Sequence, residues 1–154
     1  MRRIERMRLH EIPRAVRNPK EHYLPGIRTS IHAFSAVIAG ELNERTGRLV
    51  VGHGRLQVLE AMAAEQVSPA EGILVDDDGT WLVPIVRGCS SRSDADAEAY
   101  LVANNRTTEK GGWEEQMLAA VPVKPDETSD YLCGLWWSVV LQRGEWLVDP
   151  HLGR

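Results

Sequence analysis

The stretch TGRLVVGHGRL, Thr46 to Leu56, decides the fold because it runs from an apolar segment through a glycine-rich turn into a helical pattern. Arg48–Val51 is typical of a short strand, and GHGRL (Gly52–Leu56) follows directly. Apolar residues then recur at helical spacing, at Leu56, Leu59 and Ala63. We therefore predict a strand, a turn and a helix in immediate succession, as in an α/β or α+β domain.

The sequence before this unit predicts a partner strand and a first helix. Val37–Leu42 is a second short apolar run, and it pairs with Arg48–Val51 as a hairpin. Arg8–Ile12 indicates a strand that runs into a loop. Between them, apolar residues at i, i+4 and i+7 predict one buried face of a helix over about 26–35. These residues are Ile27, Ile31 and Phe34.

The sequence after the unit predicts one more strand and two helices. Trp81–Val86 is a strand in which Pro84 favours an edge position. Asp76–Asp78, followed by Gly79, forms an acidic turn before it. Ser93 and Asp94 cap a helix that buries Ala95, Ala99 and Val102 and ends near Asn104 and Asn105. A further helix starts at Trp113.

Composition bounds the class of protein. The chain has 154 residues, of which 43% are hydrophobic, so it forms one globular domain without disulfide or metal staples. Its two cysteines, Cys89 and Cys133, are predicted to be reduced thiols, which favours the cytoplasm. Neither a signal peptide nor an 18-residue apolar span is found, so no membrane partner is expected.

Charge is unevenly distributed. The formal net charge of −4 argues against a protein that coats nucleic acid through bulk positive charge. Residues 1–35 nevertheless hold eight Lys and Arg against three Glu. This basic N-terminal segment is either a surface for DNA or a solvated Arg-rich stretch.

GHGRL is the stretch most suggestive of chemistry. Gly52 and Gly54 allow a ligand to approach the backbone, and the helix that follows offers unpaired N–H groups to a phosphate. Arg55 could clamp that phosphate with two hydrogen bonds. The alternative is that GHGRL only connects the strand to the helix. Gln57 stands where a dinucleotide fingerprint needs Gly, and no P-loop is present.

Two other stretches carry candidate ligands. Asn104, Asn105 and Arg106, with Glu109 close behind, either end a helix or bind the Mg²⁺ and phosphates of a nucleotide. The loop Asn18–His22 is a turn with charged ends. The histidines have no recognised metal-ligand spacing and are most simply polar surface residues.

Taken in order, these stretches resemble the ParB/sulfiredoxin-like domain, in particular the short ParB-like proteins of phages and mobile elements. The resemblance covers about Met7 to Val121. It lies in the succession LHEIP (9–13), RNPKEH (17–22), IRTSIHAFS (27–35), TGRLVVGHGRL (46–56) and AYLVANNRTTEKGGWEEQML (99–118). It implies a small mixed sheet flanked by helices, in which two of these boxes cradle the phosphates and metal of a nucleotide. The nucleotide-binding residues it implies are Gly52, His53, Gly54, Arg55, Asn105, Arg106, Asn18, Lys20 and His22, with Asn105 on a nucleotide-bound Mg²⁺.

Departures from the family pattern limit the chemistry. Sulfiredoxin-like reductases carry a Cys where this chain has His53, so reductase activity is rejected. The CTP-hydrolysing segregation ParB proteins carry a Glu there and an acid where Asn104 stands. Without both acids, nucleotide binding is expected and hydrolysis is in doubt. Glu21 and Glu109 are the remaining candidates for a catalytic carboxylate, with Glu11 behind them.

The predicted organisation is a ParB/sulfiredoxin-like domain over residues 1–121 and a C-terminal extension over 122–154. The 33 residues after Val121 are too few for a helix-turn-helix and a dimerisation domain. The predicted function is binding of CTP or ATP with Mg²⁺, as a DNA-associated accessory factor of a phage or mobile element. Alternatives are a ParB-like nuclease or phosphoryl transferase, and a non-catalytic interaction module with a degenerate pocket. Homodimerisation or a partner protein, through Trp136 and Trp137, is also open.

Overall fold

Strands and helices alternate along the described part of the chain, which in this computed structural model is residues 1–35, 40–112, 114, 116 and 117. The chain divides into two compact units, Met1–Trp113 and Glu114–Arg154, and every element below belongs to the first. The strands are β1 (Arg3–Arg8), β2 (Gly40–Asn43), β3 (Arg48–Val51), β4 (Leu74–Val75) and β5 (Trp81–Cys89). The helices are α1 (Leu24–Phe34), α2 (His53–Ala64) and α3 (Asp94–Lys110), with a 3₁₀ turn at Leu9–Glu11.

The five described strands form one mixed sheet in the order β1-β5-β2-β3, and β4 also pairs with β5. Strand β5 is antiparallel to β1 and parallel to β2, and β2 and β3 form an antiparallel hairpin. With three described helices, this is a small mixed α/β fold consistent with the predicted α+β class.

The core lies between the sheet and α2, as the strand, turn and helix pattern predicts. Fully buried side chains from β3, α2 and β5 meet there: Leu49, Leu56, Leu59, Met62, Val83 and Ile85. Burying a side chain of this size contributes about 1.5–3 kcal/mol. The core therefore fixes the position of α2, and with it the glycine-rich turn at its start.

Pro84 does not lie at an edge, and the prediction that it would is wrong. It stands in β5, which has neighbouring strands on both sides. On the side away from β1, β4 pairs with Trp81 and Leu82, whereas β2 pairs from Ile85 onward. Pro84 occupies the gap between these two partners, where a missing backbone N–H leaves no ladder bond unmade.

The N-terminal predictions need two corrections. The first strand is Arg3–Arg8, and the predicted Arg8–Ile12 segment is mostly the 3₁₀ turn, because pairing with β5 outweighs local hydrophobicity. In α1, Ile31 is buried but Phe34 is exposed. The described part of the first hairpin strand is Gly40–Asn43, and residues 37–39 of the predicted strand lie outside the described residues.

Helix α3 differs from its prediction in both face and length. Ala97 and Leu101 are buried, whereas Ala95, Ala99 and Val102 are exposed. Two rows of apolar residues are available on this helix, and the row with the large Leu101 is the one that is buried. The helix also continues past the asparagines to Lys110, because no Gly or Pro interrupts it before Gly111.

Other predictions concern the remaining segments. The acidic turn is confirmed, since Gly79 N donates to Asp76 O at the β4–β5 connection. Cys89 is a free, buried thiol. Most of the helix predicted from Trp113, Cys133 and the extension over 122–154 lie outside the described residues. No helix within the described ranges is both long and apolar enough to cross a membrane.

Candidate functional site

The start of α2 presents its backbone without a side-chain cap. Gly52 is the N-cap residue and has a left-handed conformation (φ 97°, ψ 13°), which glycine adopts without strain. Its carbonyl accepts the first helical bond from Leu56 N at 3.0 Å. The first N–H groups of a helix have no partner within the helix, and they carry its positive dipole end. This terminus can therefore receive an anion.

Gly54 allows the loop before α1 to lie against the first turn of α2. A Cβ atom built at Gly54 would lie 2.8 Å from His22 Cγ and 2.8 Å from Ile27 Cδ1. No side chain fits in that space. The second glycine of GHGRL is thus required by the close packing of His22. This packing joins the loop Asn18–His22 to GHGRL.

The loop Asn18–His22 is held in shape by Asn18. Its Oδ1 accepts from Lys20 N at 3.2 Å, which orients the amide so that Nδ2 faces His22 Nε2 at 3.3 Å. Burial and the charge of Lys20 lower the pKa of His22 below its ordinary value. His22 is therefore a neutral packing residue near neutral pH, and Lys20 is the cation of the loop.

His53 acts as a hydrogen-bond acceptor at the same helix start. Its Nε2 accepts from Ala15 N at 3.3 Å. Burial, with the nearby charges of Arg14 and His22, lowers the pKa of His53 to about 4. The imidazole is thus uncharged at neutral pH, and it ties the N-terminal segment to α2 rather than supplying a cation.

Glu109 joins the loop to the last turns of α3. Its Oε1 forms an ion pair with Lys20 Nζ, and its Oε2 lies 3.0 Å from Arg106 Nη1. These two cations lower the pKa of Glu109. The stretch from Asn104 to Glu109 is therefore linked to the loop Asn18–His22. Glu21, the other carboxylate considered for catalysis, is exposed on the loop.

The predicted magnesium ligand Asn105 lies on the same helix, half-buried. Its Nδ2 donates to Leu101 O at 3.0 Å, which leaves Oδ1 as the oxygen that can face a ligand. Mg²⁺ prefers oxygen donors and usually takes most of them from water and nucleotide phosphates. Asn105 fits a Mg²⁺ that arrives with a nucleotide. No group of three or more His, Cys, Asp or Glu suited to a metal occurs among the described residues.

Arg14 is a neighbour of this site that the sequence motifs did not include. It pairs with Glu60 of α2, and its charge reaches His53. Its Nη1 atom is buried without a hydrogen-bond partner, the one such side-chain atom in the described ranges. An unpaired buried guanidinium N–H can be satisfied by an anionic ligand. Membership of the basic N-terminal segment was its only signal in the sequence.

An open cavity adjoins the loop. Its volume is about 530 Å³, and its walls come from the loop and from α3: Arg17, Asn18, Pro19, Glu98 and Val102. This size is within the range of small-molecule sites. A second cavity of about 150 Å³, between residues 15–16 and the β2–β3 hairpin, is smaller than that range.

The basic N-terminal segment is largely neutralised by the rest of the chain. Six of its eight Lys and Arg form ion pairs with carboxylates; they are Arg3, Arg8, Arg14, Arg17, Lys20 and Arg28. Apart from Arg3, each pairs with an acid at least 37 residues away. The local excess of charge seen in the sequence is therefore matched by acids from α2, α3 and the acidic turn.

The structure thus brings Asn18, Lys20, His22, His53, Gly54, Arg106 and Glu109 into one connected set. Arg55 is exposed on the first turn of α2, and Asn104 is half-buried on α3. Comparison of the chain with protein-family models, curated proteins and solved structures finds no match.

Proposed function

We propose that this chain binds the phosphates of a nucleoside triphosphate, CTP or ATP with Mg²⁺, at the start of α2. One observation carries the proposal: three stretches from distant parts of the sequence are linked by contacts. His22 packs on Gly54, and Lys20 of the same loop pairs with Glu109 of α3. If these residues served only as separate turns and helix ends, we would not expect them to be in contact with one another.

The chemistry of the meeting point suits phosphate. The uncapped start of α2 offers backbone N–H groups, and a helix N-terminus is a ready anion site. Arg55 lies on the first turn of α2, and Lys20 belongs to the loop that packs against this turn. Arg106 pairs with the same carboxylate as Lys20, and Arg14 adds a buried unpaired donor. The 530 Å³ cavity beside Asn18 has room for a nucleoside.

Binding without turnover is the form of the function that we propose. A general base needs a carboxylate that takes up a proton readily, but Lys20 and Arg106 hold Glu109 ionised and lower its pKa. Glu21 is exposed on the loop Asn18–His22. If the chain is instead a nuclease or phosphoryl transferase acting through either residue, Glu21→Gln or Glu109→Gln will abolish turnover.

The ParB/sulfiredoxin-like fold is part of the same proposal. The order of these stretches in the sequence supports it, and so do the contacts that link the loop Asn18–His22 to Gly54 and to Glu109. A role as a DNA-associated accessory factor of a phage or mobile element rests on this resemblance alone. Six of the eight cations in the basic N-terminal segment have carboxylate partners, so that segment gives the DNA role little support.

Thermal unfolding with CTP, ATP, GTP and ADP, each with and without Mg²⁺, tests the proposal. A ligand at 100 times its Kd adds about 2.7 kcal/mol to stability, or about 5–10 °C in Tm for a chain of this size. We expect a nucleotide-selective shift that disappears in Arg55→Ala and survives in Arg92→Ala, a control arginine that is 93% exposed and lies before α3.

If no nucleotide shifts the transition, the boxes have a structural role only. The interaction-module alternative then becomes the leading one. It predicts self-association that light scattering detects and that substitution of Trp136 and Trp137 by Ser abolishes.

A further inference from the structure

We infer that Glu109 is a specificity-determining residue of the proposed phosphate site, where it makes the site prefer polyphosphates over single phosphate groups. The inference rests on the proposed function and assigns Glu109 a role opposite to catalysis. Its basis is that the two cations best placed to bind phosphate, Lys20 and Arg106, are already bound to one carboxylate.

The pairing leaves each carboxylate oxygen with its own cation. Oε1 of Glu109 pairs with Lys20 Nζ, and Oε2 pairs with Arg106 Nη1 at 3.0 Å. A tetrahedral phosphate offers the same cations the same pattern of two acceptor oxygens. Glu109 therefore occupies the place of a phosphate group, and a ligand must displace it.

Displacement favours an extended anion. A single phosphate that replaces Glu109 exchanges one pair of charge-assisted hydrogen bonds for another, so its net gain is small. A polyphosphate can do the same while another of its groups binds the uncapped start of α2, which the loop Asn18–His22 joins to Lys20 through packing on Gly54. Among the described residues no side chain caps this helix start, so the second set of contacts displaces no cap. The carboxylate therefore sets a threshold that only multivalent anions pass.

Removing the charge of Glu109 tests the inference. Glu109→Gln keeps the shape of the side chain, and the carboxylate is 37% exposed, so folding is not at risk. Calorimetric titrations use inorganic orthophosphate and inorganic tripolyphosphate without Mg²⁺, and then tripolyphosphate with Mg²⁺. Glu65→Gln is the matched control, because Glu65 also pairs with a cation of the N-terminal segment, Arg28, and lies outside the proposed site.

We expect the native chain to bind tripolyphosphate more tightly than orthophosphate. In Glu109→Gln the affinity for orthophosphate rises about threefold to tenfold, as expected for loss of a competing ion pair. The affinity for tripolyphosphate rises less, so the ratio of the tripolyphosphate affinity to the orthophosphate affinity decreases. Glu65→Gln leaves that ratio unchanged.

Other outcomes separate the inference from the proposed function. If the native chain binds tripolyphosphate and Glu109→Gln does not change the ratio, the inference is wrong and the proposed function stands. If Glu109→Gln loses affinity only when Mg²⁺ is present, Glu109 is a ligand of nucleotide-bound Mg²⁺, which also overturns the inference. If neither the native chain nor the variant binds either anion, both fail. If only the variant binds, Glu109 blocks the site completely, and both the inference and the proposed nucleotide function are wrong.

Discussion

His53 is a half-buried imidazole whose pKa of about 4 lies below the ordinary value of 6.5. Above pH 6.5 the ring is neutral in both the folded and the unfolded chain. Between pH 6.5 and about 4 the unfolded chain takes up a proton and the folded chain does not, so the free energy of unfolding falls as the pH falls. His22, whose pKa is also lowered, adds to this slope in the same direction.

We therefore expect His53→Gln, which retains a side-chain acceptor for Ala15 N, to lose part of the pH dependence between pH 4 and 6.5. Denaturant unfolding at several pH values measures it. The control is His32→Gln, at a histidine that is exposed at the end of α1. A native slope retained in full by His53→Gln would show that the imidazole is not the group responsible.

Gly54 gives the second prediction at the scale of a single residue. In Gly54→Ala the new Cβ would lie 2.8 Å from ring and methyl carbons of His22 and Ile27. Overpacking of this kind costs about 1–3 kcal/mol, which exceeds the gain of up to about 1 kcal/mol in helix propensity. We expect Tm to fall by about 2–6 °C and the nucleotide shift to weaken, because the loop must move.

Gly112→Ala is the control for Gly54→Ala. No atom of the described residues lies within 4 Å of a Cβ at Gly112, so its Tm should match the native value. If Gly54→Ala has the same Tm as the native chain, the loop moves without loss of stability. Close packing between His22 and α2 is then not what requires glycine there.

At the scale of the element, α3 carries Glu109 and Arg106, and its N-terminus is fixed by a cap. Ser93 Oγ accepts from Asp96 N at 3.1 Å. Loss of such a cap costs about 1 kcal/mol, so Ser93→Ala should lower Tm by about 2–4 °C. Ser90→Ala, at an exposed serine three residues earlier, is the control. Equal melting of the two variants would mean that the cap contributes nothing.

The elements also show what the sequence could predict. The strand, turn and helix around Gly52 were predictable because the apolar spacing, the glycines and the lack of a breaker all agree locally. The central position of Pro84 was not, because it depends on where two other strands stop pairing. The buried row of α3 was not either, since two rows of apolar residues differ only in what packs against them.

The same distinction applies to the candidate site. The boxes were recognisable as residue types that suit phosphate, and Gly54 was identified from its place in the turn. The role of Glu109 was not predictable, because its partner Lys20 lies 89 residues away. Spacing along the chain carries no information about that pair. Arg14 was hidden for a related reason, since burial of one guanidinium nitrogen is a property of the folded chain.

At the scale of the whole molecule, charge pairs link the N-terminal segment to acids elsewhere in the first unit. Arg14 and Arg28 pair with Glu60 and with Glu65, the residue just after α2, and Arg17 pairs with Glu98 of α3. Each exposed pair contributes only about 0–1 kcal/mol, so their main effect is on the surface that the protein presents. Cations that are already paired have little net attraction for phosphates.

We therefore expect the native chain to bind duplex DNA weakly, even at about 50 mM salt, where counterion release favours binding most. In the triple variant Glu60→Gln, Glu65→Gln and Glu98→Gln, three arginines lose their carboxylates. Fluorescence anisotropy with a labelled duplex should then show tighter binding, and the slope of log K against log salt should become more negative by about 2–3. Tight, steeply salt-dependent binding by the native chain would instead mean that the pairs open on contact with DNA, and it would restore the basic N-terminal segment as a DNA surface.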